Sequence, residues 1–449
     1  MARTSPDRAA RIQHQISGRT RRRALIAGCI GNFVEWYDFA LYGAFATSIA
    51  ATFFPQRDPV SGLVATYLVF VTAFLARPAG ALLFGHIGDR LGRRRALAAG
   101  ILLMALVTAG TGVLPGYAAI GWVAPVVLVL LRVGQGVAIG GEYGGSAAFV
   151  VEYAPTGRRG WYGGWQWATV GLGLAAGLGA AALLGATLPA SALHGWGWRL
   201  AFLLALPFGA VGLYIRARLE DTPDFRAMQR ADAVATVPLA ETLSAARRHV
   251  VIGFGVVTAV VVTFNLFFVF LPSYVASSGV ALSRAFAAAL AGLVIGSGAA
   301  PIVGRLSDTT GRRPVLLLGV LGLVVLTVPA SSLVQAGDMG RMVLGYTIVG
   351  VVLGGLAPTA FLAELFPTRL RYSGLSLTYG IASAVFGGTT PLVAAVLAQR
   401  TAAPHLPAWY AAAASAIAFV CVLSAPETAD QALDAEPGGL STGSPPPRR

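Results

Sequence analysis

Gly85-His86-Ile87-Gly88-Asp89-Arg90-Leu91-Gly92-Arg93-Arg94 follows a long apolar run, and Gly304-Arg305-Leu306-Ser307-Asp308-Thr309-Thr310-Gly311-Arg312-Arg313 follows another, 219 positions on (from 85 to 304). A second pair of segments keeps nearly the same interval. Glu152-Tyr153-Ala154-Pro155-Thr156 returns as Glu364-Leu365-Phe366-Pro367-Thr368, 212 positions on (from 152 to 364). Two motifs repeated in one order at almost one offset imply a duplicated unit. When the unit is a set of apolar helices, such paired halves mark secondary transporters, with the substrate site between the halves near the membrane midplane.

The rest of the chain has the composition of a protein in lipid. Of 449 residues, 56% are hydrophobic and 12% charged, a balance unlike that of a soluble domain. The 56 glycines suit helices that approach one another closely in a bilayer. Crossing the hydrocarbon core takes about 20 apolar residues. Stretches of that order read at 24–53, 61–87, 96–115, 118–150, 160–186, 197–217, 250–276, 283–304, 314–335, 342–366, 373–398 and 407–425. The expected organisation is a basic tail (1–23), a six-helix bundle (24–217), a polar middle loop (218–249), a second six-helix bundle (250–425) and a Pro/Gly/Ser-rich tail (426–449). Both tails are expected to be disordered, the second on composition. The basic first 23 residues and the long apolar run after them do not read as a cleavable signal peptide. The fold class expected is an all-α membrane protein with twelve transmembrane helices in two pseudo-symmetric six-helix bundles.

Arginine placement orients the chain. A net charge of +14 would suggest nucleic acid in a soluble protein, but here the charges sit between apolar spans. All 33 basic residues are arginine. Alternate loops and both tails hold 26 of them, the opposite loops hold five (Arg57, Arg199, Arg284, Arg341, Arg400), and Arg77 and Arg132 fall inside spans. Arg216, Arg218, Arg226, Arg230, Arg247 and Arg248 are read as filling the middle loop. The positive-inside rule then puts both termini in the cytoplasm, which requires an even number of spans. Cys29 and Cys421 read as buried apolar thiols. The five histidines are scattered, and nothing calls for a metal, a cofactor or a catalytic cluster.

At its loop motif, Gly85 to Arg94, the chain resembles the major facilitator superfamily, whose signature there is G-x-x-x-D-R-x-G-R-R. More narrowly it resembles the metabolite:proton symporter family, which includes proline/betaine, shikimate, 2-oxoglutarate and citrate carriers. The carrying segments are Gly31-Asn-Phe-Val-Glu35-Trp36-Tyr37-Asp38-Phe-Ala-Leu-Tyr42-Gly43, Arg77-Pro78-Ala-Gly80, Arg132-Val-Gly-Gln135-Gly136 with Gly140-Gly141-Glu142, and Glu220-Asp-Thr-Pro223-Asp-Phe225. The resemblance runs from about residue 24 to 425 and implies the major facilitator fold and a bacterial inner-membrane location. The chain departs from the family at Tyr379-Gly380, where Tyr-Asn is frequent, and in the phenylalanine-rich stretch Thr263 to Tyr274. The osmosensing members carry a C-terminal coiled coil, whereas this tail has no apolar heptads.

Charges at membrane depth are costly and demand a reason. Glu35 and Asp38 lie roughly 17–21 Å from the arginine-rich end of the first span, and Arg77 and Arg132 fall near the same depth. Glu35, Asp38 and Tyr42 share one helical face, as do Arg132, Gln135 and Glu142. One reading is structural: the acids and arginines neutralise one another and lock the first half. The other is functional. An arginine binds a substrate carboxylate in a two-pronged pair, and an acid takes up the coupled proton when substrate occupies its cation. Candidate proton carriers are Asp38, Glu35 and Glu142. Candidate substrate contacts are Arg77, Arg132, Tyr42 and Gln135, with Asn265 and Tyr379 from the second half. The repeated motifs supply a cytoplasmic gate: Gly85, Asp89, Arg93, Glu152 and Arg159 from the first half, Asp308, Arg312, Glu364 and Arg371 from the second. Their arginines also enforce topology.

The expected function is proton-coupled symport of a small carboxylate or zwitterion by a monomer in the lipid bilayer, with no nucleic-acid partner. A drug:proton antiporter would use a larger and more apolar cavity, which the acids of the first span and Arg77 argue against. A transport-like sensor would carry a cytoplasmic signalling domain, and an enzyme a nucleophile or metal cluster; the sequence has neither.

Overall fold

The computed structural model describes residues 16–54, 59–230, 238–356, 358–400, 405–429, 431 and 433. Among them every regular element is helical. Helix α1 spans Gly18–Ala44 and resumes after a one-residue break as Ala46–Phe53. The others are α2 (Val64–Arg90), α3 (Arg93–Val113), α4 (Val123–Tyr153), α5 (Arg159–Thr187) and α6 (Ala190–Ala217), then α7 (Arg247–Ser277), α8 (Leu282–Thr310), α9 (Arg312–Gln335), α10 (Met339–Leu365), α11 (Thr368–Ala398) and α12 (Leu406–Leu423). Helices α2 to α12 are long and apolar enough to cross a membrane. Helix α1 is long enough too, but Arg19, Arg21, Arg22, Arg23, Glu35 and Asp38 make it less apolar. It is the twelfth span because it packs along α5 and α4 within the first bundle.

The halves meet where α5 lies on α8 and where α2 and α4 lie on α11. Small residues permit this contact. A methyl group at Gly160 would collide with the Gly304 carbonyl, and one at Gly304 with the Gly160 carbonyl. Inside the first half, methyl groups at Gly136 and Gly140 would collide with the carbonyls of Ala73 and Arg77, and one at Gly80 with that of Val137. Helices α2 and α4 are therefore in backbone contact, as expected of small-residue packing in lipid.

The repeated turn has one conformational requirement. Gly92 has φ +112° and Gly311 φ +98°, a left-handed region that glycine enters without strain. Each stands just before the first residue of α3 or α9, so the motif turns the chain sharply at equivalent places in both halves.

Several boundaries differ from the sequence reading. Helix α1 starts at Gly18 rather than 24, because the Ser17 hydroxyl accepts from the Thr20 N–H at 3.2 Å and caps it. The middle loop contains two short helices, Pro223–Arg230 and Pro238–Ala245. Arg216 is not in that loop; it occupies the last turn of α6 and is fully buried. The second tail is not disordered at its start, since Glu427, Thr428, Gln431 and Leu433 bond to the arginine-rich end of the bundle. Residues 1–15 and 434–449 lie outside the described residues. Cys29 is buried, whereas Cys421 is only half-buried.

Candidate functional site

The four mid-depth charges form two ion pairs on neighbouring turns of α1. Arg77 Nη2 donates to Glu35 Oε1 at 3.2 Å, and Arg132 Nη1 donates to Asp38 Oδ2 at 2.8 Å. All four side chains are at most 3% exposed. Aromatic rings support the arginines: the Arg77 guanidinium lies 4.5 Å from the Phe74 ring centre and 5.5 Å from that of Phe39. Arg132 lies 3.9 Å from the centre of Tyr42. A cation over an aromatic face is attracted by its quadrupole, more strongly when desolvated.

Tyr42 and Gln135 therefore serve Arg132. The Tyr42 hydroxyl donates to the Thr66 carbonyl at 2.9 Å. Gln135 accepts from Arg132 through Oε1 and donates to Thr108 Oγ1 at 3.5 Å. What remains available is specific. Asp38 Oδ1, Arg77 Nε, and Arg132 Nε and Nη2 are buried and have no hydrogen-bond partner among the described residues. Buried polar atoms are nearly always satisfied, so unsatisfied donors on both arginines are capacity for a bound anion.

Across the seam the second half presents rings. Trp36 of α1 meets Phe264 of α7 at 5.0 Å, edge to face, and Phe264 lies 5.3 Å from Phe268. Tyr379 stacks on Tyr143 of α4 at 3.9 Å. Asn265 donates to the Val261 carbonyl of its own helix at 2.8 Å, at the start of a π-helical turn, Asn265–Phe270. A second π turn, Ser383–Gly387, interrupts α11 just beyond Tyr379. Such bulges are frequent at functional sites. The sequence pointed to the phenylalanines of Thr263 to Tyr274, Phe264 among them, as aromatic contacts of the second half; it did not single out Trp36 or Tyr143, and only the position of Trp36, between two membrane acids, could have drawn attention to it.

Glu142 shares the Arg132 face in sequence but pairs elsewhere. Its Oε1 accepts from Arg216 Nη2 at 2.7 Å. Arg216 also donates from Nε to the Ala27 carbonyl at 2.8 Å and from Nη1 to that of Leu97. A methyl at Gly31 would collide with Glu142 Oε1, so the carboxylate reaches its partner only because α1 carries glycine there.

At the arginine-rich end the gate candidates form a cluster with near two-fold symmetry. Asp89 accepts from the backbone N–H groups of Tyr372 and Ser373, at 3.1 and 2.8 Å, and from Arg93 Nη1 at 2.7 Å. Asp308 accepts from the N–H groups of Gly160 and Trp161, at 2.7 and 3.0 Å, and pairs with Arg312 at 2.9 Å. Each aspartate thus holds the start of a helix from the opposite half, where backbone donors and the helix dipole favour an anion. Arg371 reaches Glu152 at 2.7 Å, and its counterpart Arg159 reaches Glu364 at 3.5 Å. Arg312 adds a 3.0 Å contact to Glu364. Gly85 brings α2 against Ser373, whose Cα would lie 3.0 Å from a Cβ at that position.

The sequence reading missed a third layer. Asp221, after α6, accepts from the Arg93 N–H at 3.0 Å; Glu427, after α12, accepts from the Arg312 and Arg313 N–H groups at 2.7 and 3.0 Å. The next residue in each case, Thr222 or Thr428, donates its hydroxyl to Glu152 or Glu364. Burial pushes the Asp221 carboxyl above its ordinary range. Burial acts the same way on Glu427, but N–H donors from Ala429, Arg312, Arg313 and Thr428 outweigh it and hold that carboxyl below the ordinary range. The signal was present as an acid–threonine pair recurring from 221 to 427. The chain then crosses the cluster: the Gln431 carbonyl accepts from Arg159 at 2.9 Å, and the Leu433 carbonyl from Arg371 and Thr368, each at 2.7 Å.

Residues 28–361 match the family model of the Major Facilitator Superfamily. A glycine betaine/proline/ectoine/pipecolic acid transporter of Dickeya dadantii, OusA, is 35% identical over 426 residues, covering 92% of this chain and 84% of that protein. The proline/betaine transporter of Escherichia coli is 34% identical over 432 residues, covering 92% and 85%. Among solved structures, the proton:xylose symporter XylE bound to 6-bromo-6-deoxy-D-glucose superposes with a TM-score of 0.79 at 17% identity, covering 93% of this chain and 98% of that one. That likeness establishes a common fold.

Proposed function

The chain belongs to the Major Facilitator Superfamily and is a membrane transport protein, not an enzyme; on that premise we propose that it is a proton-coupled symporter of small zwitterions of the betaine and proline class. The observation that carries this reading is the pair of buried ion pairs, Glu35–Arg77 and Asp38–Arg132, whose arginines keep unsatisfied donors beside an aromatic seam.

A zwitterion fits both features. Its carboxylate takes the free guanidinium donors of Arg77 or Arg132, for which a planar fork is the matching partner. Its cationic nitrogen is attracted by aromatic faces, here Trp36 and Phe264, and when quaternary, as in a betaine, it has no N–H to donate elsewhere. Substrate on an arginine competes with the acid already there. An acid deprived of its cation loses what stabilises its charge and takes up a proton, so substrate and proton bind together. Asp38 is the first candidate, because one of its oxygens has no partner, and Glu35 is the second. One proton crossing about 100 mV releases roughly 2.3 kcal/mol, enough for on the order of fifty-fold accumulation.

The arginine-rich end is the cytoplasmic face of a bacterial inner membrane, with both termini there, by the positive-inside rule. The charge cluster at that end, including Asp89, Arg93, Glu152, Arg159, Asp308, Arg312, Glu364 and Arg371, is the inner gate in its closed state. Breaking the pairs between halves opens the site inward, while the monomer alternates between the two faces. The test is uptake of labelled glycine betaine, proline, and mono-, di- and tricarboxylates into proteoliposomes, with and without an imposed pH gradient. Accumulation of the zwitterions only under a gradient supports the reading. Gradient-driven uptake of di- or tricarboxylates alone removes the zwitterion class, and uptake indifferent to the gradient removes proton coupling.

A further inference from the structure

Glu142 is a buried carboxylate that the sequence offered as a proton carrier and to which the proposed substrate site assigns no step. One oxygen is bound to Arg216. The other, Oε2, is buried without a hydrogen-bond partner among the described residues, on a side chain 6% exposed. That oxygen faces Gly100, whose added Cβ would sit 3.4 Å from it.

Gly100 is also part of the wall of a small cavity. Its lining includes Glu35, Gly31 and Ile139 as well as Glu142, and it has about 10 Å³ of room for the centre of a water molecule. A cavity holds one water from about that size upward, provided polar partners are present. Glu35 and Glu142 both line this one, and Glu142 Oε2 is the unpartnered polar atom that a water there would satisfy. The gap exists because Gly31 and Gly100 contribute no side chains. Gly31, opposite Glu142, is one turn of α1 before Glu35, so Glu142 lies about 6 Å nearer the arginine-rich end.

We propose that a single water in this cavity links Glu35 to Glu142 and that the two carboxylates form a proton relay directed toward the cytoplasm; this rests on the proton-symport reading above, with Glu35, its second candidate and the α1 acid that lines the cavity, handing the proton on. The transfer is balanced. The O–H bond of protonated Glu35 breaks as its proton passes to the water, the water gives one of its own protons to Glu142 Oε2, and no electrons change hands. Glu35 is left as a carboxylate able to re-form its pair with Arg77, and Glu142 becomes the neutral acid beside Arg216. The groups that set the balance come from five helices: Arg77 on α2, Arg216 on α6, Glu35, Asp38 and Cys29 on α1, and Tyr372 on α11, with Glu142 itself on α4. Tyr372 belongs to the other half and lies against Gly88 and Gly145. Parting of the halves at the inner gate withdraws it and uncovers the way out from Glu142.

A purely structural role for Glu142, tying α4 to α6, predicts loss of folded protein but no change in coupling. The test uses the full chain in proteoliposomes loaded with a pH indicator, labelled glycine betaine as the probe, and two readings: substrate counterflow and uptake driven by an imposed pH gradient. Gly100→Ala places a methyl group in the cavity at ordinary contact distance and leaves the Glu142–Arg216 pair intact. It should keep wild-type counterflow while gradient-driven uptake and proton entry fall at least fivefold. Glu142→Gln should lower the ratio of gradient-driven uptake to counterflow at least tenfold, and Glu142→Asp should restore part of that ratio with a shifted pH profile. Wild-type proton entry in Gly100→Ala, or wild-type accumulation in Glu142→Gln, overturns the relay while leaving symport standing. Absence of substrate-linked proton entry in the wild type overturns symport and the relay together.

Discussion

Arg371 of α11 and Glu152 of α4 are joined across the two halves by an ion pair of 2.7 Å in which neither side chain touches solvent. Glu152 also accepts from Arg93 and from the Thr222 hydroxyl, so one carboxylate neutralises two buried arginines. Removing it leaves Arg371 without a carboxylate, whereas Arg93 keeps Asp89 at 2.7 Å. Stripping one partner from a buried pair costs about 3–5 kcal/mol, and the share carried by the Arg371 pair, which crosses between the halves, falls on the closed gate. Glu152→Gln should therefore shift the carrier toward its inward-open form. The reporter is Ser376→Cys, buried on α11 against Gly144: labelling by a membrane-impermeant thiol reagent from the cytoplasmic side should accelerate at least tenfold in the double variant. Unchanged labelling would mean that the pair does not hold the gate.

Topology gives a second expectation. A reporter active only outside the cell should be silent when fused after Arg230 and active when fused at Pro189, because arginines cluster on the loops of the first kind. Activity at Arg230 would reverse the orientation and turn the charge cluster into an outer gate.

The arginines are open to a direct affinity test. Arg77→Lys keeps the charge and loses the fork, so the KM for glycine betaine should rise about ten- to a hundredfold, some 1.4–2.8 kcal/mol, with expression maintained. The same change at Arg132 should cost at least as much, since two of its nitrogens have no partner among the described residues. Normal transport by Arg77→Ala and Arg132→Ala would remove carboxylate anchoring at either residue.

Asp38→Asn imitates the permanently protonated acid. Such a carrier should exchange labelled for unlabelled substrate yet fail to concentrate it against a gradient. If Asp38→Asn and Glu35→Gln both accumulate substrate in response to pH, the proton site is not on α1.

Glu427 supplies a pH dependence with a definite sign. Its carboxyl is held below the ordinary range by backbone donors that outweigh its burial. Its stabilising charge is thus fully present above the unfolded value, about pH 4.3, and is lost as pH falls through the lower native value. At pH 7, Glu427→Gln should lower stability by roughly 1 kcal/mol, the usual worth of a helix cap. Melting of purified protein in detergent should show a difference between wild type and variant that narrows below pH 4. A difference that persists at pH 3 would place the effect elsewhere than in the cap.

The fold was legible because its signals are one-dimensional: apolar runs, arginines on alternate loops, and motifs repeated at a fixed interval. Helix α1 was misjudged at its start because six residues, Gly18 to Arg23, are polar, and Ser17 caps a helix that composition does not announce. Mid-depth charges could be listed from sequence, and so could their chance of pairing; which acid meets which arginine could not. Arg216 shows the limit most clearly. As the last arginine of an apolar helix it reads as a topological charge, yet its partners are Glu142 on α4 and carbonyls at Ala27 and Leu97. Those lie on three other helices, and no local pattern ties them together. Composition also misled at the second tail, where a few hydrogen bonds at Glu427 and Leu433 order a segment of low apolar content.

The backbone contacts of Gly80, Gly136 and Gly140 have a mechanical corollary. Helices α2 and α4 touch without side chains between them, so they have no slack to slide or hinge against each other. Arg77 rides on one and Arg132 on the other, and the spacing between these two cations is set as if by a ruler. Whatever swings during turnover, that ruler swings whole. Spin labels placed on α2 and α4 would report one unvarying separation throughout the cycle, whereas labels on α2 and α11 would drift apart and return.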